Sequence, residues 1–543
     1  MPDKCAVKEK KTGKFQYHIQ PATFWLSSAF ILGFVIIMVP LQTVLGGVFK
    51  SSFNWAMQYF GWFMVFTMNA TLLYCGYLIF SKYANIRIGG PDAKPEFSNA
   101  AWVAMLFSAG LGIGLLYYGV GEPMYHFISP PGGVEAGTPE AGRTAMMYTF
   151  LHWGFHGWGI YALFGLSLAF ATFNRGLPLS IRTVFYPLLG DRIYGPIGHF
   201  VDIFATACTL FGVATSLGLG CQQVNSGLNY LFGIPINGFV QIILIVIITA
   251  FACTSVVLGL KGGIKRVSVI NMWLAAALFT FVLILGPTLF VLNFFLDTTG
   301  TYLQNLVHLS FWSETWSGGT WQNGWTIFYW AWWIAWGPFV GMFIGRISYG
   351  RTVREFVGGV LAVPVLITFI WISVFGGSAL WLEIFGPGGV AKAVQANFAS
   401  AFFVFLQQFP LSQLTCTLSL FVIVIFFVTS SDSGSLVIDM ITAGGHLEPP
   451  VPQRIYWSWM EGFVAAALLF GGGLVALQTA VVLAGVPFGI VVLLMIWALQ
   501  KGLSEFRAEM FPHSFEHPNA ILEKLAASGE IRKPTESVKA ENA

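Results

Sequence analysis

The sequence predicts an all-α polytopic membrane protein with twelve transmembrane helices, and three observations predict it. Of its 543 residues 56% are hydrophobic and only 9% charged, whereas a soluble domain carries about 25% charged residues to face water. The apolar residues gather into runs of the ~20 residues that a helix needs to cross ~30 Å of hydrocarbon. The basic residues then divide between the two sides. With the N-terminus inside, 24 of the 27 Lys and Arg fall on the inner side, leaving only Lys50, Arg143 and Lys392 outside, as the positive-inside rule requires. An error of one span near the middle would spoil that split.

In chain order, a basic polar tail (1–22) has no small-residue cleavage site and leads straight into a long apolar run, so it reads as a cytoplasmic tail and a retained span. Spans are expected near 23–46, 55–80, 99–121, 146–171, 197–230 and 236–258. The remainder are expected near 267–296, 322–345, 356–384, 412–430, 455–474 and 476–499, so that the membrane domain covers 23–499. Stretches 300–318 and 389–408 are more amphipathic and suit helices lying at the interface or between bundle elements. The closing tail (500–543) has mixed charge with an apolar patch at Ala520–Ala527. It reads as a solvated end, a regulatory contact with lipid or a neighbouring subunit being the sharper alternative. Cys5, Cys75, Cys208, Cys221, Cys253 and Cys416 are scattered, which suggests neither a disulfide framework nor a transition-metal site. No Ser/His/Asp constellation suggests an enzyme, and neither tail is large enough for the signalling domain of a membrane osmosensor or receptor.

Three stretches carry chemistry. In Ser108–Gly119, glycines at 110, 112 and 114 each weaken a helix by about 1 kcal/mol relative to alanine. Alternate glycines do not share one helical face, so close packing explains them less well than a local unwinding that frees backbone groups at membrane depth. In Leu151–Tyr161, Trp153, Tyr161 and Trp158 fall at about 0°, 80° and 140° around a regular helix and share one broad face. In Trp325–Phe343, Trp325, Trp332, Trp336, Phe339 and Phe343 line a narrow stripe with Trp333 at its edge. An aromatic belt would sit at helix ends, but this stripe runs from the start of its span to the middle. Several ring faces can replace water around a cation that has no hydrogen to donate, at ~0.5–2 kcal/mol per ring. A lysine-like ammonium would want acceptors, and no unpaired acidic residue sits in these spans. The bare residues admit both an onium cage and structural packing.

Other polar residues carry weaker signals. Thr429 and Ser430 offer hard oxygens to sodium, although Ser and Thr in membrane helices most often bond back to their own carbonyls. Asp432 suits a structural pairing with the basic inner loops. His152 and His156, one turn apart, resemble a proton relay, but satisfied interior histidines are the commoner case. Asp202 is a carboxylate at the membrane edge, a proton or helix-cap group.

The run WTIFYWAWWIAWGPFVGMFIGRISYGRTVREF (325–356) resembles the signature of the betaine/carnitine/choline transporter family, and LHWGFHGWGIY and AGLGIGL are similar to further patterns of that family. The resemblance covers essentially the whole chain between the tails. It implies two peripheral helices followed by two inverted five-helix repeats (spans 3–7 and 8–12), a substrate site midway across the membrane, alternating access and a homotrimer in the bacterial inner membrane with both termini cytoplasmic. By matching motif it implies an aromatic box of Trp153, Trp158, Tyr161 and Trp333, with Trp332, Trp336 and Phe339 along the pathway. It places Gly110, Leu111 and Gly112 against the substrate carboxylate or the ion. It implies a sodium site of Thr429, Ser430, Ser108, Leu111 and Phe426, with Thr209 and Phe339 as secondary candidates. No cofactor is implied beyond sodium as the coupling ion, protons being the alternative.

The departures from the pattern also carry information. Val213 stands where a second sodium site would have a threonine, and Gly345 and Tyr349 stand where Ala and Arg are expected. Gly114 replaces the acidic group of choline-accepting members and points to a zwitterion such as glycine betaine or dimethylsulfoniopropionate. A sodium-independent exchanger of carnitine-like compounds and a proton-coupled choline-type symporter are the alternative transporters.

Overall fold

The structure is a computed structural model that describes residues 7–10, 16–38, 40–110, 112–258 and 265–510. Apart from a two-stranded antiparallel ribbon, Lys8–Lys10 with Tyr17–Ile19, its regular elements are helices. The longer ones are α1 (Pro21–Met38), α2 (Gln42–Phe80), α3 (Asn99–Gly110), α4 (Ile113–Ile128), α5 (Pro139–Trp153), α6 (Phe155–Ala169) and α7 (Pro196–Phe232). They continue as α8 (Gly238–Leu258), α9 (Lys265–Leu285), α10 (Thr288–Phe311), α11 (Phe328–Arg346), α12 (Val353–Ile372), α13 (Ser412–Thr442) and α14 (Val451–Met510). Among the described residues ten helices are long and apolar enough to cross a membrane, so the protein is a multi-pass, all-α membrane protein. Large apolar side chains cover its outside, among them Trp62, Phe239, Trp273, Leu289 and Val307, where a soluble protein would carry charge.

The predicted spans and the helices differ at particular places. They agree at 455–474 and 476–499, which form two helices meeting at a kink within α14. The kink lies at Gly472 and Gly473, whose dihedrals leave the helical region. Gly473 has φ 59° and ψ −137°, a conformation that only glycine adopts cheaply. The second helix continues to Met510, ten residues beyond the predicted start of the closing tail, where Arg175 Nη1 meets Glu509 at 2.7 Å.

The predicted span 267–296 instead ends at Leu285. Pro287 has no N–H to continue the ladder, and α10 then takes up the next 24 residues, including most of the predicted amphipathic stretch. The other amphipathic stretch forms short helices, Val390–Ala396 and Ala401–Gln407.

α6 and α11 lie side by side in the centre and approach closely. Gly337, Gly341 and Gly345 recur every four residues on α11, and an added Cβ at each would lie within 2.7 Å of Phe164 or Gly165. Small residues at this spacing let membrane helices touch at the backbone. Cys75, Cys208, Cys221, Cys253 and Cys416 are buried free thiols.

Candidate functional site

Two interruptions shape the site. α3 stops at Gly110, and α4 starts at Ile113 after an extended Gly112 (φ −164°, ψ −177°). The glycine run is therefore not one helix, as its alternate spacing suggested. Leu111 lies outside the described residues, as do the side chain of Ser108 and any contacts of Gly110. The second interruption is Gly154 (φ −96°, ψ −144°), which parts Trp153 at the end of α5 from Trp158 and Tyr161 on α6.

Between α4, α5, α6, α7, α9, α11 and α13 lies a cavity of about 280 Å³, just below the usual 300–1,000 Å³ of small-molecule pockets. Trp153, Trp158, Tyr161 and Trp333 all line it. The Tyr161 and Trp333 rings lie 4.8 Å apart, Trp158 and Trp333 5.8 Å, and Trp153 and Trp333 5.9 Å. Trp332, Trp336, Phe339 and Phe343 extend the aromatic wall along α11, and Gly112 and Gly114 also line the cavity. Among the described residues no charged side chain lines the cavity.

Glycine makes the cage possible at two points. A Cβ on Gly157 would lie 2.3 Å from the Trp333 ring, and one on Gly114 would lie 2.6 Å from Trp153 and 3.2 Å from Trp332. Two of the indoles are also tethered: Trp333 Nε1 donates to the His152 carbonyl at 2.8 Å and Trp332 Nε1 to Ser216 Oγ at 3.2 Å.

The predicted stripe departs from the cavity at one end. Trp325 does not line it and instead packs against His126 and Tyr125, at 4.5 and 4.9 Å between ring centres. Residues Asn323–Ile327 form a wide π turn. Such a turn inserts extra backbone and shifts the angular register that a regular helix would hold.

Among the predicted sodium ligands, Phe426, Thr429 and Ser430 reach the cavity, with Ser433 beside them. Thr429 Oγ1 donates back to the carbonyls of Ile425 and Phe426 at 3.0 and 3.2 Å, which leaves its lone pairs free. Thr209 is fully buried on α7 but does not line the cavity. Asp202 is a structural group: it accepts from Ser180 Oγ at 2.6 Å and the Arg182 amide at 2.9 Å, and pairs with the Arg182 guanidinium. Asp432 pairs with Arg454 at 3.5 Å.

Behind Trp153 stands a residue that the sequence reading passed over. Glu122 is fully buried on α4. Its Oε2 accepts from Trp153 Nε1 at 2.9 Å and from the Tyr329 hydroxyl. Its Oε1 meets His152 Nδ1 at 2.6 Å and His126 Nε2 at 3.3 Å, and His152 Nε2 meets Thr326 Oγ1 at 2.9 Å. Glu122, His126 and His152 offer ligand atoms within 4.8 Å of one another, close enough for a metal ion, but hydrogen bonds already join them directly. The predicted span ended at 121, one residue short of Glu122. An ionisable residue next to an apolar run of this length was the signal that would have found it.

The family model for betaine/carnitine/choline transporters (BCCT) matches residues 22–508. The chain is 43% identical over 511 residues to a glycine betaine/proline/choline transporter of Vibrio parahaemolyticus, covering 91% of this chain and 92% of that one. It is 45% identical over 492 residues to the glycine betaine transporter OpuD of Bacillus subtilis (90% and 95% covered). It is 42% identical over 525 residues to a glycine betaine transporter of Acinetobacter baylyi (95% and 79% covered).

Proposed function

The chain belongs to the betaine/carnitine/choline family of transporters, and we propose that it imports glycine betaine, or a close analogue such as dimethylsulfoniopropionate, by sodium symport. The single observation that carries the substrate class is the cage itself: four aromatic rings converge on a cavity in which no described residue offers a charged side chain. An onium head without N–H or O–H donors gains little from polar walls, whereas ring faces replace its water by cation–π attraction. A bare cation would remain unneutralised in such a cavity. A zwitterion brings its own carboxylate, so the guest is neutral overall, and burying it costs far less than burying a lone charge.

The substrate carboxylate falls to the backbone around Gly110, Leu111 and Gly112, beside the start of α4 at Ile113, since the first amides of a helix lie outside its ladder. Sodium falls to Thr429 and Ser430, completed by Phe426 and by Ser108 and Leu111 from the glycine run. Ion and substrate would then bind across the same interruption, so each orders the backbone that the other needs. Trp332, Trp336 and Phe339 continue the aromatic wall and give the onium head a path to the cytoplasm as access alternates. A homotrimer in the bacterial inner membrane with both tails cytoplasmic accords with the family and with the distribution of Lys and Arg.

Uptake of labelled glycine betaine into proteoliposomes tests this reading. An inward sodium gradient is expected to drive accumulation that a proton gradient alone does not. Equal uptake with no gradient of either ion would remove the symport and leave an exchanger.

A further inference from the structure

Glu122 lies one side chain behind the cage and does not line the cavity. It is fully buried, and four groups surround it: Trp153 and Tyr329 on one oxygen, His152 and His126 on the other. A carboxylate offers about four lone-pair sites and no donor. Both histidines therefore take the tautomers that donate to it, and all of its sites are filled. Thr326 holds the far nitrogen of His152, so the shell around the carboxylate is itself anchored.

Resting on the reading of the cavity as an onium site, we propose that Glu122 is the positioning residue of the cage, acting through Trp153. Its carboxylate locks the Trp153 indole against Gly114, where a Cβ would lie 2.6 Å from the ring. An N–H donated to an anion is polarised, and in a chain of hydrogen bonds that polarisation is passed on. Electron density moves from the N–H into the ring, so the face offered to a cation becomes more negative and the attraction strengthens. A carboxylate in the cavity wall would pair directly with the onium head and favour bare cations. Held one ring away, its charge favours the onium head without repelling the substrate's own carboxylate at short range.

The test uses the purified full chain, with glycine betaine binding followed by tryptophan fluorescence at fixed sodium and transport followed in proteoliposomes. Glu122→Gln is expected to weaken binding about tenfold, within the range of a cation–π contact, and to raise KM with little change in kcat. Trp153→Phe keeps a ring but removes the N–H. The double variant is expected to lose no more than the larger single loss, because Glu122 acts through that N–H. Additive losses, or a Glu122→Gln variant that binds as the parent does, would overturn the proposal.

If Glu122→Gln yields no folded protein, Tyr329→Phe decides. It removes a donor that shares Oε2 with Trp153, so binding is expected to hold or tighten, whereas a tenfold loss would assign the network to packing alone and overturn the proposal. Failure of the parent protein to bind glycine betaine would instead overturn the onium reading on which the proposal rests.

Discussion

Trp333 rests on Gly157 and Trp153 on Gly114, each at a distance where an alanine Cβ would overlap the ring. The cage is thus set by two residues without side chains as much as by its indoles. Gly114→Ala is expected to displace Trp153 and Trp332 and to raise the KM for glycine betaine while the protein still folds, which an uptake titration reads directly. Trp333 touches the other three rings of the box. Trp333→Leu is therefore expected to cost about tenfold or more in affinity for trimethylated substrates, and unchanged binding would sink the cation–π account. The box residues were legible in the sequence because their chemistry is local and their spacing unusual. Glu122 was not, because its meaning depends on Trp153, His152 and Tyr329, which reach it from two other helices.

The interruptions of the helices carry more of the function than their regular parts. Breaks at Gly112 and at Gly154 place backbone and indoles from neighbouring turns around one cavity. The first was legible from alternate glycines. The second was not, since a single Gly154 looks like any other glycine in a helix. The π turn at Asn323–Ile327 was equally hidden, and it removed Trp325 from the stripe that a regular 100° repeat had drawn.

Close helix approach also explains a departure from the family pattern. At Gly345 an alanine Cβ would lie 2.7 Å from the Gly165 carbonyl, and Tyr349 packs on Gly89 and Phe173. The α7 end is held differently, by a buried ion pair. Arg182→Met would leave Asp202 buried and uncompensated. A loss of about 3–5 kcal/mol is expected, seen as a lowered melting temperature in detergent and restored in part by adding Asp202→Asn.

For the molecule as a whole, composition and the division of Lys and Arg were enough to read a polytopic membrane protein, because lipid tolerates only helices with satisfied backbones at this hydropathy. Helix ends were less legible, as at Pro287 and at Met510, where helices stop short of or outrun the apolar runs. The coupling ion belongs at this level too, because its predicted ligands come from helices far apart in sequence. Thr429→Ala with Ser430→Ala is expected to raise the sodium concentration needed for half-maximal uptake several-fold and to leave binding at saturating sodium nearly intact. An unchanged sodium dependence would place the ion elsewhere.

The cage makes the sharpest demand of all: it must favour a positive charge, not merely a shape. Competition between labelled glycine betaine and 3,3-dimethylbutanoate, the same shape with carbon in place of the quaternary nitrogen, isolates that charge. At least about tenfold weaker competition by the carbon analogue is predicted from the loss of cation–π attraction. Equal competition would mean that the rings select an apolar shape, and would contradict the onium site.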